Sequence, residues 1–205
     1  MRRLAFLLVT LLPLAAAAQE SAPPLPQDPR APRFREVERG FFTGFEVGYL
    51  TLFKTPTADP ARYPLAGAGG GRSSGFLVGT TLGYDVTDRL AVALYVLGAN
   101  SSASMSYGGF SVVSAGGDLR LSYYGKRDPN GVDRLYLYVH GRAGYLLSYP
   151  EGLFSTHDAY LAGGPGVEYF TRLRHFSIGL VADLAYLPKA KTAGIAVTPT
   201  VRYTF

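Results

Sequence analysis

Apolar and polar residues alternate with a period of two along eight stretches of the sequence. In the first stretch, 41–53, Phe45 and Val47 share one face, and Gly44 and Glu46 share the other. A two-residue period predicts a β-strand with one apolar and one polar face. The other seven stretches run over 75–86, 90–98, about 110–124, 134–147, 160–170, 175–187 and 195–205.

The outward, apolar register of these stretches contains no charged residue, as contact with hydrocarbon requires. Aromatic residues of that register lie near the strand ends, where membrane proteins carry belts of Tyr and Phe. One belt would hold Phe41, Tyr84, Tyr123, Tyr169, Phe176, Tyr203 and Phe205, and the other Tyr49, Phe53, Phe76, Tyr145 and Tyr186. A soluble barrel would place its apolar face inside. The pattern therefore predicts an all-β fold, an eight-stranded antiparallel transmembrane up-and-down β-barrel.

The N-terminal part of the chain has the features of a secretory signal peptide. Arg2 and Arg3 precede an apolar run, which is followed by Ala15–Ala18. We expect residues 1–18 to be the signal peptide, cleaved before Gln19. Residues 19–40, rich in Pro, should be an extended, poorly ordered periplasmic segment, and 41–205 the barrel. The absence of Cys excludes disulfides and a lipoprotein anchor.

The last predicted strand ends in aromatic residues. Tyr203 and Phe205 resemble the C-terminal signal that the barrel-assembly machinery of Gram-negative outer membranes reads, while Pro199 removes one ladder hydrogen bond. The resemblance implies that this machinery is a partner of the chain. It also implies that outer-membrane lipid surrounds the barrel. The predicted location is the outer membrane of a Gram-negative bacterium.

Connection lengths predict the orientation of the barrel. The connections 85–89, 125–133 and 171–174 are short, whereas 54–72, 99–109 and 148–158 are longer. Short turns of such barrels lie in the periplasm and long loops outside. Both termini would then be periplasmic. The last outer connection, 188–194, is shorter than this rule expects.

The charge balance gives no indication of a nucleic-acid partner. The chain has 20 basic and 15 acidic residues, or 18 against 15 without Arg2 and Arg3, and no basic stripe. Only 17% of the residues are charged. A chain of this length predicts one domain.

Eight strands enclose a lumen just wide enough for side chains. The inward register places acidic and basic residues together there, and charges in a narrow, partly dry space should pair. We expect a plugged, salt-bridged interior without an open pore; a proton or ion path is the alternative. The predicted luminal charge network consists of Glu46, Asp118, Arg120, His140, Arg142, Glu168, Asp183 and Arg202.

The sequence does not favour an enzyme. Ser155, His157 and Asp158 share one predicted outer loop, but nothing supports them as a preorganised triad. We predict no catalytic, cofactor-binding or metal site, and no cofactor. A lipid A-modifying outer-membrane enzyme and a narrow transport barrel remain as alternatives.

A patch of small residues is predicted on the lipid face of three consecutive strands. Small side chains let membrane proteins pack closely against one another. The patch could therefore dock another membrane protein or a lipid; the alternative is a locally smooth barrel wall. Its residues are Ala115, Gly117, Gly141, Ala143, Gly163 and Pro165.

Two stretches, 83–94 and 163–180, resemble hairpins of the OmpA-like small outer-membrane barrels. This resemblance covers nearly the entire mature chain and implies architecture rather than activity. The stretch 39–53 and the Pro-rich leader resemble the adventurous gliding-motility outer-membrane proteins of myxobacteria, of the CglE type. That resemblance implies a non-enzymatic, structural component of the gliding machinery with periplasmic or outer-membrane protein partners.

Overall fold

The computed structural model describes residues 37–54, 71–104, 108–129, 131–151, 157–173 and 175–205. The predicted signal peptide and residues 19–36 of the predicted leader lie outside the described residues. No helix among the described residues is long and apolar enough to cross a membrane.

Eight antiparallel strands form one closed sheet. Each strand pairs with its neighbours in sequence, and β1 pairs with β8. This closure confirms the predicted eight-stranded up-and-down barrel. The strands are β1 Phe41–Leu52, β2 Ser73–Asp85, β3 Leu90–Ser104, β4 Gly108–Arg127, β5 Asp133–Tyr149, β6 His157–Phe170, β7 Phe176–Leu187 and β8 Thr192–Thr204.

The two faces of each strand have opposite chemistry. In β7, for example, exposed and buried residues alternate, and Ile178, Leu180 and Leu184 point outward. Large apolar side chains are exposed on the outer face all around the barrel; Phe76 is 72% and Leu94 69% exposed. Soluble monomers rarely expose contiguous apolar patches beyond a few hundred Å². The outer wall is therefore built to contact the hydrocarbon of a membrane.

The hairpin formed by β3 and β4 is longer than predicted. The stretch 99–109 was expected to be a loop, but Asn100 pairs with Ser111 and Ser101 with Phe110, so only 105–107 separate the strands. The prediction failed because residues on both faces of this stretch are mostly small or polar, so they show no alternation of period two. The backbone hydrogen bonds of the sheet form there nevertheless, since they do not require apolar side chains. Strand β8 likewise begins at Thr192, which shortens the predicted connection 188–194.

A β-bulge interrupts the pairing of β4 with β5. The register shifts between Ser122 and Tyr124, and both Tyr123 and Tyr124 are about half exposed. An extra residue on one strand reorients the residues beyond it. The bulge therefore adds Tyr124 to the aromatic belt that the alternation predicted for Tyr123 alone.

Aromatic rings meet at both ends of the outer wall. At the end where β1 begins, called the Phe41 end below, the rings of Phe41 and Tyr84 lie 4.9 Å apart, centroid to centroid. At the opposite end, the Leu52 end, Tyr49 and Phe76 lie 6.0 Å apart. Such pairs across neighbouring strands form belts at the two water–lipid boundaries of a membrane barrel.

The lumen has two halves of different chemistry. Toward the Leu52 end it is filled by a packed apolar cluster, and toward the Phe41 end by charged side chains. The cluster consists of Leu50, Leu52, Leu77, Tyr95, Leu97, Ala99, Phe110, Val112, Leu146, Tyr160, Ala185, Leu187 and Ala196. The interior is thus salt-bridged in the half toward the Phe41 end, whereas the apolar filling of the other half was not predicted from the sequence.

Candidate functional site: the luminal charge network

The structure places all eight residues of the predicted network on the inner face of the barrel, within the half toward the Phe41 end. Six of the eight strands contribute them, because each strand directs every second side chain inward. Within the network the side chains form two groups. One is centred on Arg142 and the other on Glu168.

Arg142 connects two carboxylates in the first group. Its Nη1 and Nη2 donate to the two carboxylate oxygens of Glu46, at 2.8 and 3.0 Å, and its Nε donates to Asp118 at 2.7 Å. Arg142 and Glu46 are both buried. The planar guanidinium matches a carboxylate through two parallel hydrogen bonds, which makes this one of the stronger ion-pair geometries. Arg142 therefore ties β5 to β1 and β4 across the lumen.

His140 lies between two carboxylates of the same group. Its Nδ1 is 3.2 Å from Oδ1 of Asp118, and its Nε2 is 2.6 Å from Oδ1 of Asp183. An ionised carboxylate only accepts hydrogen bonds, so both ring nitrogens must act as donors. That arrangement suits the doubly protonated imidazolium. The positive ring would offset part of the negative charge of the two carboxylates that it contacts.

The second group contains two arginines and two carboxylates. Arg120 pairs with Glu168, and Arg202 pairs with Asp85. Ser177 donates a hydrogen bond of 2.5 Å to Glu168, and Arg202 also approaches that carboxylate at 3.9 Å. The formal charges of this group cancel, which limits the cost of keeping four ions out of water.

Aromatic rings cover both arginines of the second group. The guanidinium carbon of Arg120 lies 3.8 Å from the ring centroid of Tyr138, and that of Arg202 lies 3.7 Å from the centroid of Phe42. A guanidinium over a ring face gains cation–π attraction and excludes water. These rings therefore help to fix the arginines in place.

Sequence reasoning left Asp85 and Ser177 out of the network. The alternation in β2 already places Asp85 on the inner face, but its position next to a short connection suggested a turn residue. Ser177 carries no charge, so a search for charged residues in the inward register does not find it. Only the closed barrel shows that both side chains meet the arginine–glutamate group.

A cavity of about 80 Å³ lies between the two groups. Asp118, His140, Arg120 and Arg202 border it, and Nε of Arg202 has no hydrogen-bond partner among the described residues. One water needs about 10–15 Å³ of a cavity volume measured in this way, so the cavity has room for about five to eight waters. The described residues include no group of three or more His, Asp or Glu side chains placed to bind a metal.

The apolar cluster separates this cavity from the Leu52 end. Tyr95 lies at the boundary, where its hydroxyl is 3.2 Å from Oγ of Ser114 and its ring lies 5.5 Å from the guanidinium carbon of Arg142. Beyond it, Leu97 and Phe110 are each 1% exposed. Packed apolar side chains offer no partners to an ion or to water. The paired charges and the apolar cluster therefore obstruct the lumen in succession.

The other predicted sites lie outside the lumen. In the predicted docking patch, Gly117 pairs with Ala143 and Gly141 with Gly163, so the structure brings these small residues together on the outer face. Ala115 and Pro165 pair instead with Tyr145 and Val139, which are larger. A docking role stays a prediction.

The two residues of the predicted assembly signal lie at the Phe41 end. Their rings are in edge-to-face contact, 5.2 Å apart, and Tyr203 also contacts Phe176 at 5.0 Å. Phe205 is 67% exposed, and its backbone N–H donates to the carbonyl of Phe41 at 2.8 Å. These contacts lie at the seam where β8 closes on β1. Recognition by the assembly machinery remains a prediction.

Of the loop residues considered for catalysis, Ser155 lies outside the described residues. The carboxylate of Asp158 is buried and accepts backbone N–H groups of Ala159, Lys189 and Ala190 at 2.7–2.9 Å. The ring of His157 stacks on Tyr145. Asp158 thus holds the connection between β7 and β8 in place, a structural role.

No family model matches the chain, and no curated protein matches it. Among solved structures, the chain is similar to Neisserial surface protein A, with a TM-score of 0.60, 15% identity, and coverage of 81% of this chain and 97% of that one. At this identity the likeness shows the fold alone. The outer membrane protein OprG of Pseudomonas aeruginosa also matches, with a TM-score of 0.49, 15% identity, and coverage of 83% and 98%.

Proposed function

We propose that the chain is a non-enzymatic outer-membrane barrel that acts through its surfaces and not through its lumen. The observation that carries this proposal is the filled lumen, with ion pairs toward the Phe41 end and a packed apolar cluster toward the Leu52 end. A barrel obstructed in this way is suited to structural and binding roles. The apolar outer wall supports the membrane location.

Cell fractionation tests the location and the processing of the chain together. The protein should sediment with outer membranes, and mass spectrometry of its N-terminus should identify Gln19 as the first residue. A protein that is recovered in a soluble fraction, or that keeps residues 1–18, would contradict this part of the proposal.

The two alternative functions make different predictions. A lipid A-modifying enzyme should change the mass of lipid A when the gene is overexpressed, and a transport barrel should pass ions or small solutes. The backbone hydrogen bonds that occupy Asp158 speak against the first, and the filled lumen against the second. We expect an unchanged lipid A mass spectrum; a new lipid A species that depends on His157 would overturn the proposal.

As a finer proposal, we assign the barrel to a gliding-motility machinery. The sequence resemblance of 39–53 and of the Pro-rich leader is the support for this role. Deletion of the gene should then abolish or slow gliding while lipid A stays unchanged. Normal gliding of the deletion strain would refute the motility role and leave the barrel proposal intact.

A further inference from the structure

Four basic residues occupy neighbouring strand ends at the Leu52 end of the barrel. They are called the basic rim here: Lys54, Arg72, Lys189 and Lys191. Leu52 pairs with Ser73, which sets Arg72 beside the end of β1. The hydroxyl of Thr192 donates to the carbonyl of Lys54, which sets Lys191 beside it. Lys189 lies in the same turn as Lys191.

The backbone under the basic rim is held in place. The carboxylate of Asp158 accepts the N–H groups of Lys189 and Ala190, and the N–H of Phe53 donates to Ala193 at 2.8 Å. Nζ of Lys189 is 3.1 Å from Nε2 of His157. The lysines at β7 and β8 therefore project from fixed positions.

The side chains of the basic rim are exposed, and no ion pair joins any of them to an acid among the described residues. The Phe41 end differs. There Arg127 pairs with Asp133 at 3.3 Å, and Arg134 pairs with Asp128 at 2.8 Å. Two arginines of the Phe41 end are thus paired with acids, whereas no cation of the basic rim has an acidic partner among the described residues.

Neighbouring strand ends are about 5 Å apart, which is less than the screening length of about 10 Å at 0.1 M salt. Cations on adjacent strand ends therefore repel one another, and an anion placed between them would relieve that repulsion. Lys and Arg both bind phosphate oxygens through charge-assisted hydrogen bonds. The chemistry of the basic rim fits a phosphate group.

The basic rim lies next to the aromatic belt of the Leu52 end. Lys54 follows Phe53 directly, and Lys189 comes three residues after Tyr186; both aromatic side chains are over 40% exposed. Belts of this kind lie at the level of the lipid headgroups. We propose that the basic rim binds the headgroup phosphates of anionic lipids in the leaflet at the Leu52 end, an inference that rests on the proposed membrane location.

Native mass spectrometry of the full mature chain tests this inference. The protein would be purified in detergent with equal amounts of phosphatidic acid and phosphatidylcholine, and the ratio of the two bound lipids counted. Each cation near an anionic surface favours binding about fivefold. We expect a preference for phosphatidic acid that falls at least about tenfold in the variant K54Q/R72Q/K189Q/K191Q.

The control variant R89Q/K126Q/R127Q/R172Q removes four charges at the Phe41 end and should keep the preference. K54R/K189R/K191R keeps the charges and should keep it too. If the rim variant does not give the circular dichroism of a barrel, the smaller variant K54Q/K191Q replaces it, with a partial loss expected. An unchanged preference in the rim variant would overturn the inference, as would equal losses in the rim and Phe41-end variants.

Competition identifies the source of the phosphate. Millimolar inorganic phosphate should leave the bound phosphatidic acid in place, because the acyl chains add contacts with the apolar wall. Displacement by inorganic phosphate would refute a lipid site. Correct outer-membrane location without a lipid preference would refute the site alone, and the proposed function would stand.

Discussion

The two halves of the lumen close the same barrel by different means. Toward the Leu52 end, side chains such as Leu97 and Phe110 fill the space by shape, and each contact is small and non-directional. Toward the Phe41 end, Arg142 and its carboxylates fill it with few, strong, directional bonds. In the apolar half, truncation of a side chain should therefore lower the free energy of unfolding in proportion to the volume removed. In the charged half, the loss of unfolding free energy should depend on which ions lose their partner.

The largest effect is expected from breaking the charged half at its centre. Arg142→Met keeps much of the side-chain volume but leaves Glu46 and Asp118 without their shared cation. Loss of one partner of a buried ion pair costs about 3–5 kcal/mol. Urea unfolding of the barrel in lipid vesicles would measure the loss of unfolding free energy. The unfolding can be followed by tyrosine fluorescence, since the chain has no Trp, or by circular dichroism.

Adding Glu46→Gln to Arg142→Met removes the negative charge of Glu46, which has lost its cation, while Asp118 keeps its contact with His140. The double variant should be less destabilised than the sum of the single variants, since residues in one network couple. A loss below about 1 kcal/mol for Arg142→Met would show that the carboxylates find other partners and that the pairing is not what stabilises this half.

In the apolar half, Leu97→Ala should cost about 2–5 kcal/mol, because it removes buried methyl groups and leaves a cavity. Leu94 is a matched control on the same strand, since it is 69% exposed on the outer wall. Lipid can fill the space left by Leu94→Ala, so only the transfer term, about 0.8 kcal/mol per CH₂, remains. Equal losses of unfolding free energy in Leu97→Ala and Leu94→Ala would contradict the assignment of inner and outer faces.

Two glycines of β5 allow the same comparison of inner and outer face with a smaller change in side-chain volume. A Cβ at Gly144 would collide with the hydroxyl of Tyr95 and the carbonyl of Ala115, whereas a Cβ at Gly141 meets nothing within 4 Å. Gly144→Ala should therefore cost about 1–3 kcal/mol, and Gly141→Ala almost nothing. The same unfolding assay measures both, and a reversed order would refute the register of β5.

The smallest effect is expected outside the lumen. Arg127 is 76% exposed where it pairs with Asp133. Exposed ion pairs contribute about 0–1 kcal/mol, so Arg127→Gln should lower the unfolding free energy by less than about 1 kcal/mol. A loss as large as that of Arg142→Met would mean that burial does not govern the strength of ion pairs in this barrel.

The strands and their faces could be predicted because each residue's side depends only on its place in the alternation. The residues of the lumen could be predicted for the same reason, as Glu46 and Arg142 illustrate. Their pairing could not, since it depends on how far the strands are staggered around the closed barrel. The apolar half was missed because inward residues such as Leu50 and Leu97 are as apolar as their outward neighbours. At that end, the sequence contrast between the two faces disappears.

The central claim is that the lumen is obstructed in both halves, and planar-bilayer recording of the purified mature protein tests it most directly. The structure predicts no stable conductance in the wild type, because an ion would have to cross the cluster around Leu97 and Phe110. A stable open channel in the wild-type protein would contradict the claim.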